Sequence, residues 1–235
     1  MLLYEESLPG VRFAASSRSG GVSTAPYDSL DLATHVGDLP AAVAENRSRL
    51  AQVLAVPRIA WMEQVHGREV AQVGPNDAVP VADALVSTER GVALAVLVAD
   101  CTPVLAADPE AGVVGVAHAG RKGLALDVVG ALLDAMRDLG ARRVVARVGP
   151  SICPRCYPVP LALREEVAAA VPEARSVARD GSPALDIAAG VVAQLAQREV
   201  AVRWLPGCSA EDPQLFSYRR DGGTTGRYAG LAWLP

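Results

Sequence analysis

The sequence predicts a mixed α/β fold: one domain over residues 1–235, with layered mixed β-sheets flanked by helices. Three observations carry this. Apolar runs of strand length outnumber stretches with helical spacing and do not strictly alternate with them, which argues against a regular doubly wound sheet. Hydrophobic residues make up 51% of the chain, ample for a substantial core. Pro and Gly are scattered at element boundaries, with no low-complexity linker and no repeat of about 20–50 residues.

Taken in order, Val11–Ser17 reads as a strand running into a polar Gly-rich loop, Arg18-Ser19-Gly20-Gly21-Val22-Ser23. Asp38 is the expected N-cap of a helix reaching about Leu54, with Pro40 in its first turn. Ala93–Val98 and Val113–Ala117 are apolar runs of strand length. Leu124, Val128, Leu132, Met136 and Leu139 follow amphipathic helical spacing, and Gly140 is a natural stop. Arg143–Val148 is strand-like, Leu161–Val171 and Pro183–Gln197 read as helices, and Val202–Leu205 and Gly230–Leu234 close the chain as strands.

Charge excludes one class of partner. Lys and Arg number 22 against 26 Asp and Glu, a formal net charge of -4. A nucleic-acid binder would present a basic patch or stripe. The segment MLLYEESLPG lacks the basic and apolar regions of a signal peptide, and no run of about 18 apolar residues predicts a membrane span. A cytoplasmic location is therefore expected. The four cysteines, Cys101, Cys153, Cys156 and Cys208, are expected to be reduced, with metal or catalytic roles ahead of disulfides.

Histidine is scarce: only His35, His66 and His118 are present. His66 and His118 sit in small-residue, turn-like settings, Gln64-Val65-His66-Gly67 and Ala117-His118-Ala119-Gly120. Asp108-Pro109-Glu110-Ala111-Gly112 is a strong turn between two apolar runs and predicts a β-hairpin. Pairing Asp108 with Ala111 places Cys101 directly opposite His118, where Cβ atoms lie about 4.5–5.5 Å apart, a workable spacing for two ligands of one metal. A buried core cysteine and a hydrogen-bonded histidine are the plain alternatives for the pair. His66 has no local sequence link to it, so pattern alone leaves His66 aside.

Several segments carry a resemblance over nearly the whole chain: Arg18–Ser23, Ser29-Leu30-Asp31-Leu32, His35-Val36-Gly37-Asp38, Glu45-Asn46-Arg47, Gln64–Gly67, Ala82–Val86, Ala99–Val104, His118-Ala119-Gly120, Gly149–Ile152 with Cys156-Tyr157, and Phe216–Gly222. On these the chain resembles the YfiH/YlmD-type proteins. These were long labelled polyphenol oxidases or laccase-domain proteins and are described as purine nucleoside phosphorylases with adenosine deaminase activity. The resemblance implies a single α/β domain and a zinc site on His66, Cys101 and His118, with purine nucleoside and phosphate as small-molecule partners. The chain departs from the family at Arg121-Lys122-Gly123, where Trp-Arg-Gly is usual, and at Asp31, where Asn is common.

Three protein ligands leave a position open, the layout of a catalytic zinc. Asp100, beside Cys101, is the candidate proton shuttle for adenosine deamination; capping a turn or orienting a ligand is its alternative. Phosphorolysis needs cations for phosphate, and Arg18, Arg47 and Lys122 are the candidates, each alternatively a surface charge. Cys153-Pro154-Arg155-Cys156 is a CxxC without a second CxxC, for which structural burial is expected.

Other readings stay open. A multicopper centre needs more imidazoles than three, but a single copper on His66, Cys101 and His118 suits thiolate and imidazole ligands. Cys101 with His118 as base would make a metal-free thiol enzyme, such as a hydrolase editing peptidoglycan precursors. A scaffold protein with a structural metal is the last.

Overall fold

The computed structural model describes residues 1–235. In chain order the strands and helices are β1 (Leu2–Leu8), β2 (Val11–Ser16), α1 (Pro40–Leu54), β3 (Arg58–Ala60), β4 (Val70–Gln72), β5 (Ala84–Ser87), β6 (Val92–Val98), β7 (Thr102–Asp108), β8 (Val113–Ala119), α2 (Arg121–Ala125), α3 (Val128–Asp138), β9 (Val145–Val148), α4 (Leu161–Ala170), β10 (Arg175–Val177), β11 (Pro183–Leu185), α5 (Ile187–Ala196), β12 (Ala201–Trp204) and β13 (Tyr228–Trp233). One sheet runs β1-β2-β13-β6-β3 and the other β12-β9-β7-β8-β5-β4, with β10 and β11 as a separate ribbon. Parallel pairs (β3/β6, β4/β5, β9/β12) sit among antiparallel ones, so both sheets are mixed, as the sequence predicts.

Burial explains why the central strands read as unbroken apolar runs. In β6, Leu94, Val96 and Val98 enter the core between the sheets, while Ala93, Ala95 and Leu97 pack under α1 with Leu50, Leu54 and Trp233. In β7, Leu105 and Ala107 face the first sheet, and Val104 and Ala106 face the α3/α5 layer with Leu132, Val191 and Leu195. A strand buried on both faces has no polar side, so period-two alternation disappears. Gly115 admits α3 closely: a Cβ there would lie 2.7 Å from the Leu132 Cδ1.

The hairpin differs from expectation in a telling way. Asp108 pairs with Val113, not Ala111, and the residue opposite His118 is Pro103, not Cys101. The Asp108 carboxylate accepts from the Glu110 and Ala111 N–H groups and, across the fold, from those of Arg142 and Arg143, widening the turn. The slip is by two residues, so the side-chain face is kept.

Other boundaries are corrected. The helix expected over Pro183–Gln197 is β11 followed by α5, because the Asp186 carboxylate caps at the Ala189 N–H (2.9 Å). The helix expected from Leu124 breaks into α2 and α3 at Asp127 (φ 61°), whose carboxylate accepts from the Gly130 N–H. Leu39, not Asp38, is the N-cap of α1; Asp38 instead accepts from the Ser23 hydroxyl and the Leu39 N–H. Strands β1, β3, β4, β5, β10 and β11 were not expected; most are short, and β1 alternates polar residues along an edge.

Candidate metal centre and cavity

The chain crosses from one sheet to the other through Ala99-Asp100-Cys101, between β6 and β7, with Asp100 at φ 94°. This crossing sets Cys101 just before β7, and its partners come from elsewhere. His118 is the penultimate residue of β8; His66 lies in the loop between β3 and β4 at φ 60°. The donor atoms of His66, Cys101 and His118 all lie within 4.8 Å of one another. The two imidazole rings meet edge to face at 4.7 Å between centroids. His118 is buried, Cys101 half-buried and His66 exposed.

Asp83 holds the two histidines. Ala84 pairs with Ala117, which sets Asp83 beside His118, and the His118 N–H donates to the Asp83 carbonyl (2.8 Å). The fully buried Asp83 carboxylate contacts His118 Nδ1 (2.9 Å) and accepts from the N–H groups of His66 (2.9 Å) and Gly67 (2.6 Å). With Nδ1 engaged, His118 has Nε2 left for Cys101 or an ion, the carboxylate–histidine arrangement that orients metal ligands. Gln64 anchors the same loop by exchanging two 2.8 Å hydrogen bonds with the Leu97 backbone.

The electrostatics follow from this packing. Burial alone would raise the Asp83 carboxyl, but His118 and the surrounding N–H groups hold it below the ordinary carboxylate value. Burial would likewise raise the Cys101 thiol; the charge of His118 and hydrogen bonds from both imidazoles outweigh it and bring it to about 6. Burial would lower His118, yet Cys101 and Asp83 together push it up to about 9.

The donor set fits a transition-metal ion. Two imidazoles and one thiolate are zinc and copper ligands. Gly120 keeps the space beside them clear: a Cβ there would lie 3.0 Å from His66 Cδ2 and 3.1 Å from Cys101 Sγ. The three residues stand at a cavity of about 510 Å³, within the size range of small-molecule sites.

The cavity wall carries two tyrosines, Tyr157 and Tyr218, and three arginines, Arg121, Arg219 and Arg227. The Arg121 guanidinium lines the cavity without a hydrogen bond or ion pair. Arg219 lies over the Tyr157 ring (4.9 Å) and Arg227 over Tyr218 (5.8 Å). His35 also lines the cavity, and burial lowers its pKa.

The cations expected from sequence lie elsewhere. Arg18 stacks on Phe216 (4.8 Å) and pairs with Asp28. Arg47 stacks on Trp61 (4.1 Å) and donates to the Leu32 carbonyl. Lys122 is exposed and outside the cavity lining, where its neighbour Arg121 stands instead. The Gly-rich loop binds its own chain: the Gly20 and Gly21 N–H groups donate to the Ser29 hydroxyl and that of Val22 to Asn46. Its N–H groups are therefore unavailable to phosphate. Asp100 lines the cavity, but its carboxylate accepts from the Ser209 and Ser217 hydroxyls and the Arg219 N–H.

Sequence reasoning also missed Asp83 as a site residue. Its signal was a carboxylate in the otherwise apolar run Ala82–Val86, where an unpartnered charge would be costly. Arg227 and Tyr157 had no such signal, because tertiary packing alone brings them to the cavity.

A mixed two-sheet protein with a possible metal-binding group at a small-molecule cavity is the class that these features define. The pattern describing the multi-copper polyphenol oxidoreductase laccase family matches residues 12–235, and the chain belongs to that family. It is 53% identical over 246 residues to purine nucleoside phosphorylase ORF3 of Streptomyces griseus, covering 100% of both chains. The crystal structure of YlmD from Geobacillus stearothermophilus matches with a TM-score of 0.89 at 34% identity, covering 96% of this chain and 92% of that one. That of YfiH from Bacillus licheniformis matches with a TM-score of 0.88 at 26% identity, covering 96% and 93%. The resemblance to YfiH/YlmD-type proteins is thereby borne out.

Proposed function

We propose that the chain is a zinc-dependent purine nucleoside phosphorylase that also deaminates adenosine, with zinc held by His66, Cys101 and His118. The observation that carries the reading is the oriented donor group of His66, Cys101 and His118 facing a cavity that also holds a free arginine and two tyrosines. The relatives named purine nucleoside phosphorylase support the substrate class. Zinc when bound supplies a Lewis acid that makes an oxygen nucleophile effective near neutral pH.

The chain's own residues do the rest. Tyr157 and Tyr218 offer aromatic faces to a purine. Arg121, with Arg219 and Arg227 nearby, faces the cavity as the grip for phosphate. In phosphorolysis a phosphate oxygen bonds to ribose C1′ as the C1′–purine nitrogen bond breaks, and the departing base takes up a proton. In deamination water adds at C6 and ammonia leaves. Asp83 keeps His118 in one tautomer and one orientation. Asp100 acts by positioning, since its oxygens hold the loop carrying Arg219 against the cavity. The four free thiols fit a cytoplasmic setting.

The test is to quantify metal in the purified protein and incubate it with adenosine and inosine, with and without phosphate, beside His118→Ala. Zinc, phosphate-dependent free purine and ammonia, all lost in the variant, are expected. Free purine formed equally without phosphate would overturn phosphorolysis.

The Asp83–His118–Cys101 chain of contacts also suits a thiol hydrolase, with Cys101 as nucleophile and His118 as base. Iodoacetamide would then abolish turnover while chelators left it intact. A single copper at the same residues would instead give an intense visible thiolate band.

A further inference from the structure

We propose that Cys153, Cys156, Cys208 and Glu211 form a second metal site, which binds zinc at the surface and ties together two loops behind the cavity wall. Their donor atoms all lie within 4.8 Å of one another, and all three cysteines are free thiols. Zinc–sulfur bonds of about 2.3 Å set tetrahedral sulfurs about 3.8 Å apart, so a contraction of about 1 Å closes the site. Three thiolates and one carboxylate complete four-coordination, the closed arrangement of a structural zinc.

The backbone is shaped for it. Cys153 and Cys156 flank a single 3-10 turn in which the Cys156 N–H donates to the Cys153 carbonyl (3.0 Å). The Cys153 N–H donates to the Cys208 sulfur at 3.3 Å. Cys208 comes from a distant loop that pairs with Ser151, and the Ser209 N–H donates to the Ser151 carbonyl (3.1 Å). Gly207, at φ +145°, makes the approach, since a Cβ there would lie 3.0 Å from the Pro150 Cβ.

Charge supports a metal over a disulfide. A divalent ion with three thiolates and a carboxylate leaves two negative charges. Arg155 and Arg179, both ion-paired to Glu211, supply two positive ones. A disulfide would join only two of the three sulfurs and leave the third unjoined. Three soft thiolates select zinc among the common redox-inert divalent ions.

The site adjoins the cavity without entering it. Ile152 and Tyr157, which bracket the CxxC, line the cavity, and Ser209, next to Cys208, donates to Asp100, next to Cys101. The inference does not rest on the nucleoside reading, because metal content in a protein lacking the first donor group reads it.

The experiment measures zinc by mass spectrometry in His118→Ala, with Cys101→Ser as a replacement background if that variant does not fold. About one zinc per chain is expected to remain, and to be lost when Cys156→Ser is added. Cys156 is half-exposed, so this change spares the core. Cobalt-loaded His118→Ala should show strong near-ultraviolet thiolate absorption that falls with Cys156→Ser or Glu211→Gln. A folded background variant without zinc would overturn the proposal. So would zinc that survives Cys156→Ser, or a disulfide among these cysteines in freshly isolated protein.

Discussion

The chain's two donor clusters differ in almost every physical respect. His66, Cys101 and His118 supply two imidazoles and one thiolate at a cavity, and a fully buried carboxylate fixes the imidazoles. Cys153, Cys156, Cys208 and Glu211 supply three thiolates and an exposed carboxylate, which two arginines neutralise. The first keeps one side clear through Gly120, whereas the second is complete in itself. An open donor group with an adjoining cavity is built for chemistry, and a closed one for cohesion.

Losing His118 tests the first half of that contrast most severely. His118→Ala is expected to reduce turnover by roughly a thousandfold or more and to release the first-site metal, read by steady-state rates and metal content. Retained turnover would make the first cluster structural too. Asp83→Asn keeps the shape but removes the charge that orients His118. Metal affinity or kcat should fall by about 10–100-fold, measured by competition with a chromophoric chelator. An unchanged affinity would mean that the strand register alone positions His118.

Arg121→Ala asks whether the cavity of the first cluster takes an anion. The KM for phosphate should rise about tenfold, on the order of 1.4 kcal/mol, while the metal stays bound. A changed metal content with constant KM would move Arg121 out of the phosphate role.

The smallest effect belongs to Asp31, which touches only the first cluster's side by accepting from the Arg227 N–H. Burial pushes its carboxyl up to about 6, and its Oδ2 has no partner. The unfolded chain ionises near 4, so the folded state binds the proton more tightly. The stability present below about pH 4 is lost as pH rises through about 6. Asp31→Asn retains the Oδ1 acceptor and should remove that slope, gaining on the order of 1–2 kcal/mol at neutral pH, or a few degrees in Tm by calorimetry. Parallel pH profiles for both proteins would rule out Asp31 as the source.

The clusters were unequally readable before folding. Scarcity singled out Cys101 and His118, and the resemblance added His66, because rare ligating side chains in small-residue turns leave a local trace. The hairpin register was two residues off, yet the pair still met on one side, since a shift of two preserves face. Arg18, Arg47 and Lys122 are candidates on charge alone, but stacking on Phe216 and Trp61 and exposure of Lys122 take them elsewhere. The CxxC was visible, but Cys208 and Glu211 carry no local link to it.

By itself the sequence determined what local chemistry controls: mixed α/β character, the doubly buried strands, the hairpin turn at Asp108, and the residues able to ligate a metal. Tertiary structure alone decided which partners meet. Asp83 reaches His118 through β5–β8 pairing, Arg121 and Arg227 face one cavity, and Cys208 closes on Cys153 from a distant loop. Contacts between segments far apart in the chain depend on sheet register and layer packing, which no short window of residues encodes.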